Sequence, residues 1–460
     1  MSVINIDYKN FINGESQSDL IADKGFSPAT TQINLTKTRG MFYFNESPTD
    51  RGGATLTGNI IASCPDPAYS GNDRYYIDDE GAFYLIDSVT FTQKQAGAGS
   101  YTYQLGTTDL IPFRGNFYFT SQSTIGTFDN NMAIINEEWW SGLNNLYRHP
   151  MEVIEGELFI GNLNLIYYYD GTSTGTAFTL PTGVNVTSLR KHTDGRTLLA
   201  FTGSTADFSH IRNGQGKVYY CDPISRDWIR EVDIEAQVEG TRSVGGIIYT
   251  TYGNIVGYFN GKGLEFLKKL DYSTTTYSQC MDNMEDVLLI RDGLYVKAFG
   301  NLGNGRVWWN CFYNETNSNH INNIAYKGDN KLLIAFQGAS AGTGLLQEID
   351  YDNAGVIGKF ISNKIRFGQK VHIDKIEIVH DITNNAGTTQ FEVHQKDLQG
   401  NINNAYGHSG LIATPTYVSQ NVDETRIDCD IKESIFQLGI VPITDDIGFK
   451  EIRIYYEPIR

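Results

Sequence analysis

Basic residues are in short supply: 36 Lys and Arg stand against 53 Asp and Glu, a formal net charge of −17 over 460 residues. Proteins that grip phosphate backbones concentrate cations on one face to displace counterions, so tight nucleic-acid binding is not expected. Lys262, Lys268 and Lys269 are the densest basic group. Long apolar runs are missing too; none approaches the ~18 residues of a membrane helix. Met1 to Asp7 has neither a basic n-region nor an apolar h-region, so no secretory signal is expected, and the sequons at Asn34, Asn185 and Asn314 read as coincidences. Cysteine is scarce and scattered: Cys64, Cys221, Cys280, Cys311 and Cys429 are odd in number and never form a CxxC pair. That excludes a disulfide framework and a clustered zinc site, leaving free, buried or partly buried thiols. The eight histidines form no HxH or HExxH set. His372 and His380, eight apart on an alternating segment, are expected to be solvated on one sheet face.

Present instead are Tyr (28), Phe (24) and Gly (47) in quantity, with charged residues held to 19%, the composition of a turn-rich β protein. One phrase recurs, an aromatic strand that runs into Asp or Asn. It reads Phe83-Tyr84-Leu85-Ile86-Asp87, Gly126-Thr127-Phe128-Asp129, Ile166-Tyr167-Tyr168-Tyr169-Asp170 and Val218-Tyr219-Tyr220-Cys221-Asp222. It returns as Val256-Gly257-Tyr258-Phe259-Asn260 and Glu348-Ile349-Asp350-Tyr351-Asp352. From Asp87 to Asn260 the steps are 42, 41, 52 and 38 residues; the last, from Asn260 to Asp352, is 92 and implies a further unit around Tyr295 to Asn310. A period in the low forties without helical patterning predicts a β-propeller, one four-stranded blade per repeat. Glycine-led apolar strands begin at Gly81, Gly115, Gly156, Gly195, Gly245 and Gly293, with Lys331 as a seventh start, which favours six or seven blades. Asp222-Pro223 and Asp170-Gly171 read as inter-strand turns of the kelch-like kind. The kelch double glycine and the Trp-Asp ending of WD repeats are absent.

The fold class expected is therefore all-β: a divergent six- or seven-bladed propeller followed by a C-terminal antiparallel, sandwich-like domain. Residues 1–45 read as an irregular N-terminal arm, with Met41 to Phe44 as the first strand. Residues 46–355 carry the propeller. In residues 356–460 the period stops and strands such as Lys375-Ile376-Glu377-Ile378-Val379 alternate, so that one face of each is wet.

Chemistry-bearing motifs are absent. Asp73, Asp78, Asp79 and Glu80 crowd one turn, but solvated turn carboxylates are expected there rather than a cation cage. Asp350, Asp352 and Asn353 fail the EF-hand spacing, because Ala354 takes a ligand position and no bidentate Glu follows. Glu137-Glu138 is a carboxylate pair of the type glycosidases require. No sialidase-type Asp-box, G-x-S-x-G elbow or phosphate loop accompanies it, and Gly300 to Gly305 reads as a hairpin tip. No catalytic, cofactor or metal site is assigned, and no enzyme activity is expected. Trp139 and Trp140 read as core aromatics, with glycan stacking as the alternative.

Three segments carry a family resemblance. Arg306-Val307-Trp308-Trp309-Asn310-Cys311-Phe312, Lys364-Ile365-Arg366-Phe367 with Asp374 to Ile378, and the closing Gly448-Phe449-Lys450-Glu451-Ile452-Arg453-Ile454 are similar to strands of the tail-hub, packaged-DNA stabilisation (nozzle-like) proteins of short-tailed bacteriophages. The order of arm, propeller and C-terminal β domain also resembles that family. The resemblance implies a structural virion protein without cofactor, made in the host cytoplasm. It would form a homo-oligomeric, hexameric ring that extends the DNA channel below portal and adaptor. Such a ring helps retain the packaged DNA, lets it pass without tight binding, and anchors tail spikes, fibres or a needle. A glycan-binding propeller adhesin is the first alternative reading, and a carbohydrate-active propeller enzyme the second.

Overall fold

In the computed structural model the chain is built of β-strands. The structure describes residues 2–7, 33–34, 43–44, 48–51, 56, 58–65, 74–86, 91–95, 109–121, 123–129, 134–144, 148–203, 215–271, 280–301, 306–313, 320–328, 330–336, 345–351, 360–361, 365–382, 389–395, 411–417, 424–436, 438–443 and 447–459. Asp73, Asp87, Asp352, Asn353, Lys364 and the turn 302–305 lie outside them, as does most of the expected arm.

Seven four-stranded antiparallel sheets follow one another along the chain and are the blades of a propeller. Blades 1 to 6 span residues 60–95, 110–141, 151–179, 185–234, 240–269 and 281–313. Blade 7 takes three strands from residues 321–350 and its fourth from Thr49–Asp50, near the other end of the chain. The Arg51 amide then donates to the Leu346 carbonyl at 2.8 Å, which fastens this strap. Of the six or seven blades expected, seven sheets are present among the described residues.

Burial explains why these sequences form blades. Second strands such as Glu157–Asn162, Leu198–Gly203 and Lys331–Phe336 are buried almost throughout, which suits their unbroken apolar runs. Fourth strands such as Asp227–Ile234 are largely exposed and carry the charges. Each interior is shared between neighbouring blades. Ile61, Tyr75, Phe83, Phe117 and Phe128 bridge blades 1 and 2, and Phe159, Phe178, Leu198 and Tyr219 bridge blades 3 and 4. Leu333, Ala335 and Leu346 of blade 7 pack with Tyr76 and Tyr84 of blade 1, so the core closes on itself.

At Asp170, Asp222 and Asn260 the recurrent Asp or Asn ends, or immediately follows, the third strand of a blade and caps the hairpin to the fourth. Asp170 Oδ1 accepts the amides of Thr172 (2.8 Å) and Ser173 (2.7 Å), and Asn260 Oδ1 those of Lys262 (2.8 Å) and Gly263 (2.9 Å). Asp222 Oδ1 accepts the Ile224 amide at 2.9 Å. These bonds hold the Asp170 carboxyl down at a pKa of about 2, the Ser173 amide contributing most. The unit absent from the phrase is Tyr295–Asn301, a third strand that also ends on Asn.

By compactness the chain divides into two units. One comprises residues 50–294 and 316–348, and the other residues 1–49, 295–315 and 349–460. In the second unit, one sheet orders Ser2–Asp7, Ile447–Pro458, Ile365–Ile382 and Glu424–Phe436 side by side. Another pairs Leu438–Pro442 with Thr389–Gln395, flanked by short strands. Phe391 of the latter meets Phe449 of the former edge-on at 5.3 Å, so the sheets face each other across an apolar core. Glu424–Phe436 alternates exposed and buried positions, as its sequence pattern predicts. The N-terminus departs from the irregular arm expected of it: Ser2–Asp7 is a strand, pairing Ile4 with Ile454 and Ile6 with Ile452. Its alternating isoleucines can follow a sheet edge, but that partner is more than 440 residues away in sequence.

Candidate functional site

A network of buried charge links several blades within the unit of residues 50–294 and 316–348. Asp282 is its hub. The Asp282 carboxylate accepts from Arg74 at 3.1 Å, from the Tyr326 amide at 2.7 Å and from the Arg242 guanidinium. Nearby in blade 7, Glu348 takes Lys327 at 3.1 Å and Arg51 at 2.7 Å, with both Lys327 and Glu348 buried. Ser63 of blade 1 bonds Asn323 of blade 7 at 3.1 Å. Blades distant in sequence are thus tied by polar bonds where apolar side chains would leave backbone groups unsatisfied.

Beside this network lies a cavity of about 130 Å³. Asp109, Arg148, Glu152, Arg190, Glu239 and Arg242 are its charged walls, supplied by five blades together with the neutral Met281. Arg190 bonds the Thr241 hydroxyl at 3.1 Å and its carbonyl at 2.7 Å, and pairs with Glu152 at 3.1 Å. Arg242 donates Nε to Asn283 at 3.0 Å. Burial raises the carboxyl pKa of Asp109 and of Glu152, and lowers that of the Arg148 and Arg242 guanidiniums. None of these residues was marked by sequence reasoning. The only available signal is a charged residue within an otherwise apolar first strand, as in Met151-Glu152-Val153-Ile154.

Trp139 and Trp140 lie on the fourth strand of blade 2, Ile134–Ser141, both half-buried. Trp139 packs edge-on against Tyr118 (5.0 Å) and Tyr169 (4.7 Å), and Trp140 lies tilted against Tyr167 (5.0 Å), so the pair bridges blades 2 and 3. Trp309 is buried and Trp308 stacks on Phe299 at 4.7 Å.

Two expectations need correction. Asp78 is not a solvated turn carboxylate: it is buried, accepting the Ala82 amide (2.7 Å), the Glu80 amide (3.1 Å) and the Tyr84 hydroxyl (2.7 Å). Three donors replace the water it loses. His380 is likewise buried, with Nε2 2.7 Å from the Thr425 hydroxyl, while His372 meets Asp430 at 2.9 Å. Strand shifts at Ile373 and at Val379 separate their surroundings. Among the described residues no group of three or more His, Cys, Asp or Glu is arranged to hold a metal ion. Cys64, Cys221, Cys280 and Cys311 are free and buried, and Cys429 is free and partly buried.

Neither a family model nor a curated protein matches the chain. Among solved structures it is similar to the Pan2 WD40 domain of Neurospora crassa, at 9% identity and TM-score 0.44 over 68% of this chain and 96% of that one. It is also similar to a chain of a mitotic checkpoint complex, at 13% identity and TM-score 0.44 over 72% of this chain and 96% of the other. A third is the computationally designed protein Ika8, at 12% identity and TM-score 0.39, with 64% of this chain and 83% of that one covered.

Proposed function

We propose that the chain is a structural ring protein of a short-tailed bacteriophage tail, a hub or nozzle without catalytic activity. It sits in the virion below portal and adaptor, extends the DNA channel, helps retain the packaged genome and carries spikes, fibres or a needle. The observation that supports this reading is where the three family-like segments fall. All lie in the unit of residues 1–49, 295–315 and 349–460. Arg306–Tyr313 forms one strand of a hairpin, and the other segments lie on Ile365–Ile382 and Ile447–Pro458, hydrogen-bonded neighbours inside one sheet. Two of the three segments thus sit on paired strands of one sheet, as a module of shared ancestry would leave them. The second support is chemical: the charged groups at the blades' inner strands are engaged with each other and with backbone amides, as in a scaffold.

Mass photometry and cryo-electron microscopy of the purified chain, alone and with portal–adaptor complexes, test the reading. A closed ring of about six copies is expected by the family likeness. A chain that stays monomeric in the presence of those complexes sinks it. Specific glycan capture on an array that vanishes in Trp139→Ala would favour the adhesin reading instead.

A further inference from the structure

The cavity among the inner strands of blades 2 to 6 has a chemical bias that the scaffold reading does not use. Its acceptors are each already engaged by donors of the chain. Asp109 receives the amides of Leu110 (3.0 Å) and Met151 (3.2 Å), and Glu239 receives the Gly253 amide at 2.9 Å. The carboxylate of Glu152 is held by Arg190, and that of Asp282, behind Arg242, by Arg74 and the Tyr326 amide. Its donors are not spent. A guanidinium has five N–H bonds. Arg190 places three nitrogens on Thr241 and Glu152, one bond each, which leaves hydrogens on both Nη1 and Nη2. Arg242 uses Nε on Asn283 and Nη2 on Asp282, and among the described residues nothing accepts from its Nη1. Both side chains keep access to the space: Arg190 is 25% exposed and Arg242 31%. The two are brought to the same place by the fold, because Arg190 bonds the backbone of Thr241, the residue preceding Arg242.

We propose that this cavity binds a small oxyanion between the guanidiniums of Arg190 and Arg242. The ligand class is a phosphate, sulfate or carboxylate group on a molecule of a few heavy atoms, which the volume of about 130 Å³ accommodates. Ser188, whose hydroxyl lies 2.8 Å from that of Thr241, adds a rotatable donor at the same wall. The site does not depend on assembly into a ring, so it can fail while the proposed tail role stands, and the reverse.

Calorimetric titration of the full chain with inorganic phosphate and, separately, acetate, each against chloride at matched ionic strength, tests it. Saturable binding with one site per chain is expected for at least one of the two, and which one binds identifies the oxyanion type. Arg242→Lys keeps a cation beside Asp282 but removes the fork, and should weaken binding about tenfold or more. A crystal soaked with selenate gives a readout that needs no variant: an anomalous peak between Arg190 and Arg242 is expected. Heats indistinguishable from chloride, unchanged affinity in Arg242→Lys, or selenate found only elsewhere would each overturn the proposal.

Discussion

Asp282 is only 3% exposed, yet its carboxyl group contacts two guanidiniums and a backbone amide. Removing one partner of a buried ion pair leaves the other charge without compensation, at about 3–5 kcal/mol. Asp282→Asn should therefore lose about that much in urea unfolding, because Arg74 stays buried without a counter-charge. A loss below about 1 kcal/mol would mean that water reaches the network freely. Glu152 makes a different prediction. Burial raises its carboxyl pKa in the folded state, so the folded chain holds the proton to higher pH than the unfolded chain does. Stability then falls as pH rises from the ordinary carboxylate value toward the raised one, the reverse of a salt-bridged acid with a depressed pKa. Glu152→Gln should flatten that part of the melting-temperature profile, on the alkaline side of the ordinary carboxylate range. An unchanged slope would show that Arg190 offsets the burial.

At the scale of elements, hairpin chemistry carries the blade. The strand-to-Asp phrase is visible in sequence because residues such as Asp170 and Asn260 do a local task, bonding amides two and three residues ahead. Phase was harder to see. Second strands begin at Arg74, Asn116, Glu157, Leu198, Ile247, Val287 and Lys331, with the shortest interval from 247 to 287 and the longest from 198 to 247. Gly81 and Gly293, however, open third strands rather than second ones, and Gly supplies positive φ at either kind of hairpin (76° and 65°). A turn signal says where a strand ends without saying which strand it is. The ion pairs of the network beside the cavity could not be read at all, since Arg74 and Asp282 are 208 residues apart and only blade closure unites them. The Ser2–Asp7 pairing failed for the same reason. Gly257 illustrates a third kind of information. A Cβ there would lie 2.5 Å from the Glu265 carbonyl oxygen, beside the irregularity where Gly257 faces Phe266. Backbone cannot swing aside as a side chain can, so Gly257→Ala should cost about 1–3 kcal/mol, measured by chemical denaturation. A neutral result would place the fourth strand of blade 5, Leu264–Lys269, among the loosely held edges.

Over the whole molecule, the formal net charge is −17. Among the described residues the buried cations are Arg74, Arg148, Arg291, Lys297 and Lys327, against the buried acids Asp78, Glu239, Asp282, Asp292, Glu348 and Glu377. Five against six nearly cancel, so among the described residues burial hides little of the acid excess. Lys262 and Lys269 are exposed, but Glu265 stands between them, with its carboxylate 2.8 Å from Asn260. A polyanion approaching such a surface gains little from counterion release and meets repulsion within the Debye length, about 8 Å at physiological salt. For a ring that conducts DNA, weak adhesion has a mechanical use: a wall that does not hold phosphates does not slow their passage. Fluorescence anisotropy with labelled duplex DNA should accordingly show no saturable binding to the purified chain at about 0.15 M salt. Affinity that rises steeply as salt is lowered would reveal a concentrated basic face, and the low-friction channel would have to be given up even if the ring itself formed.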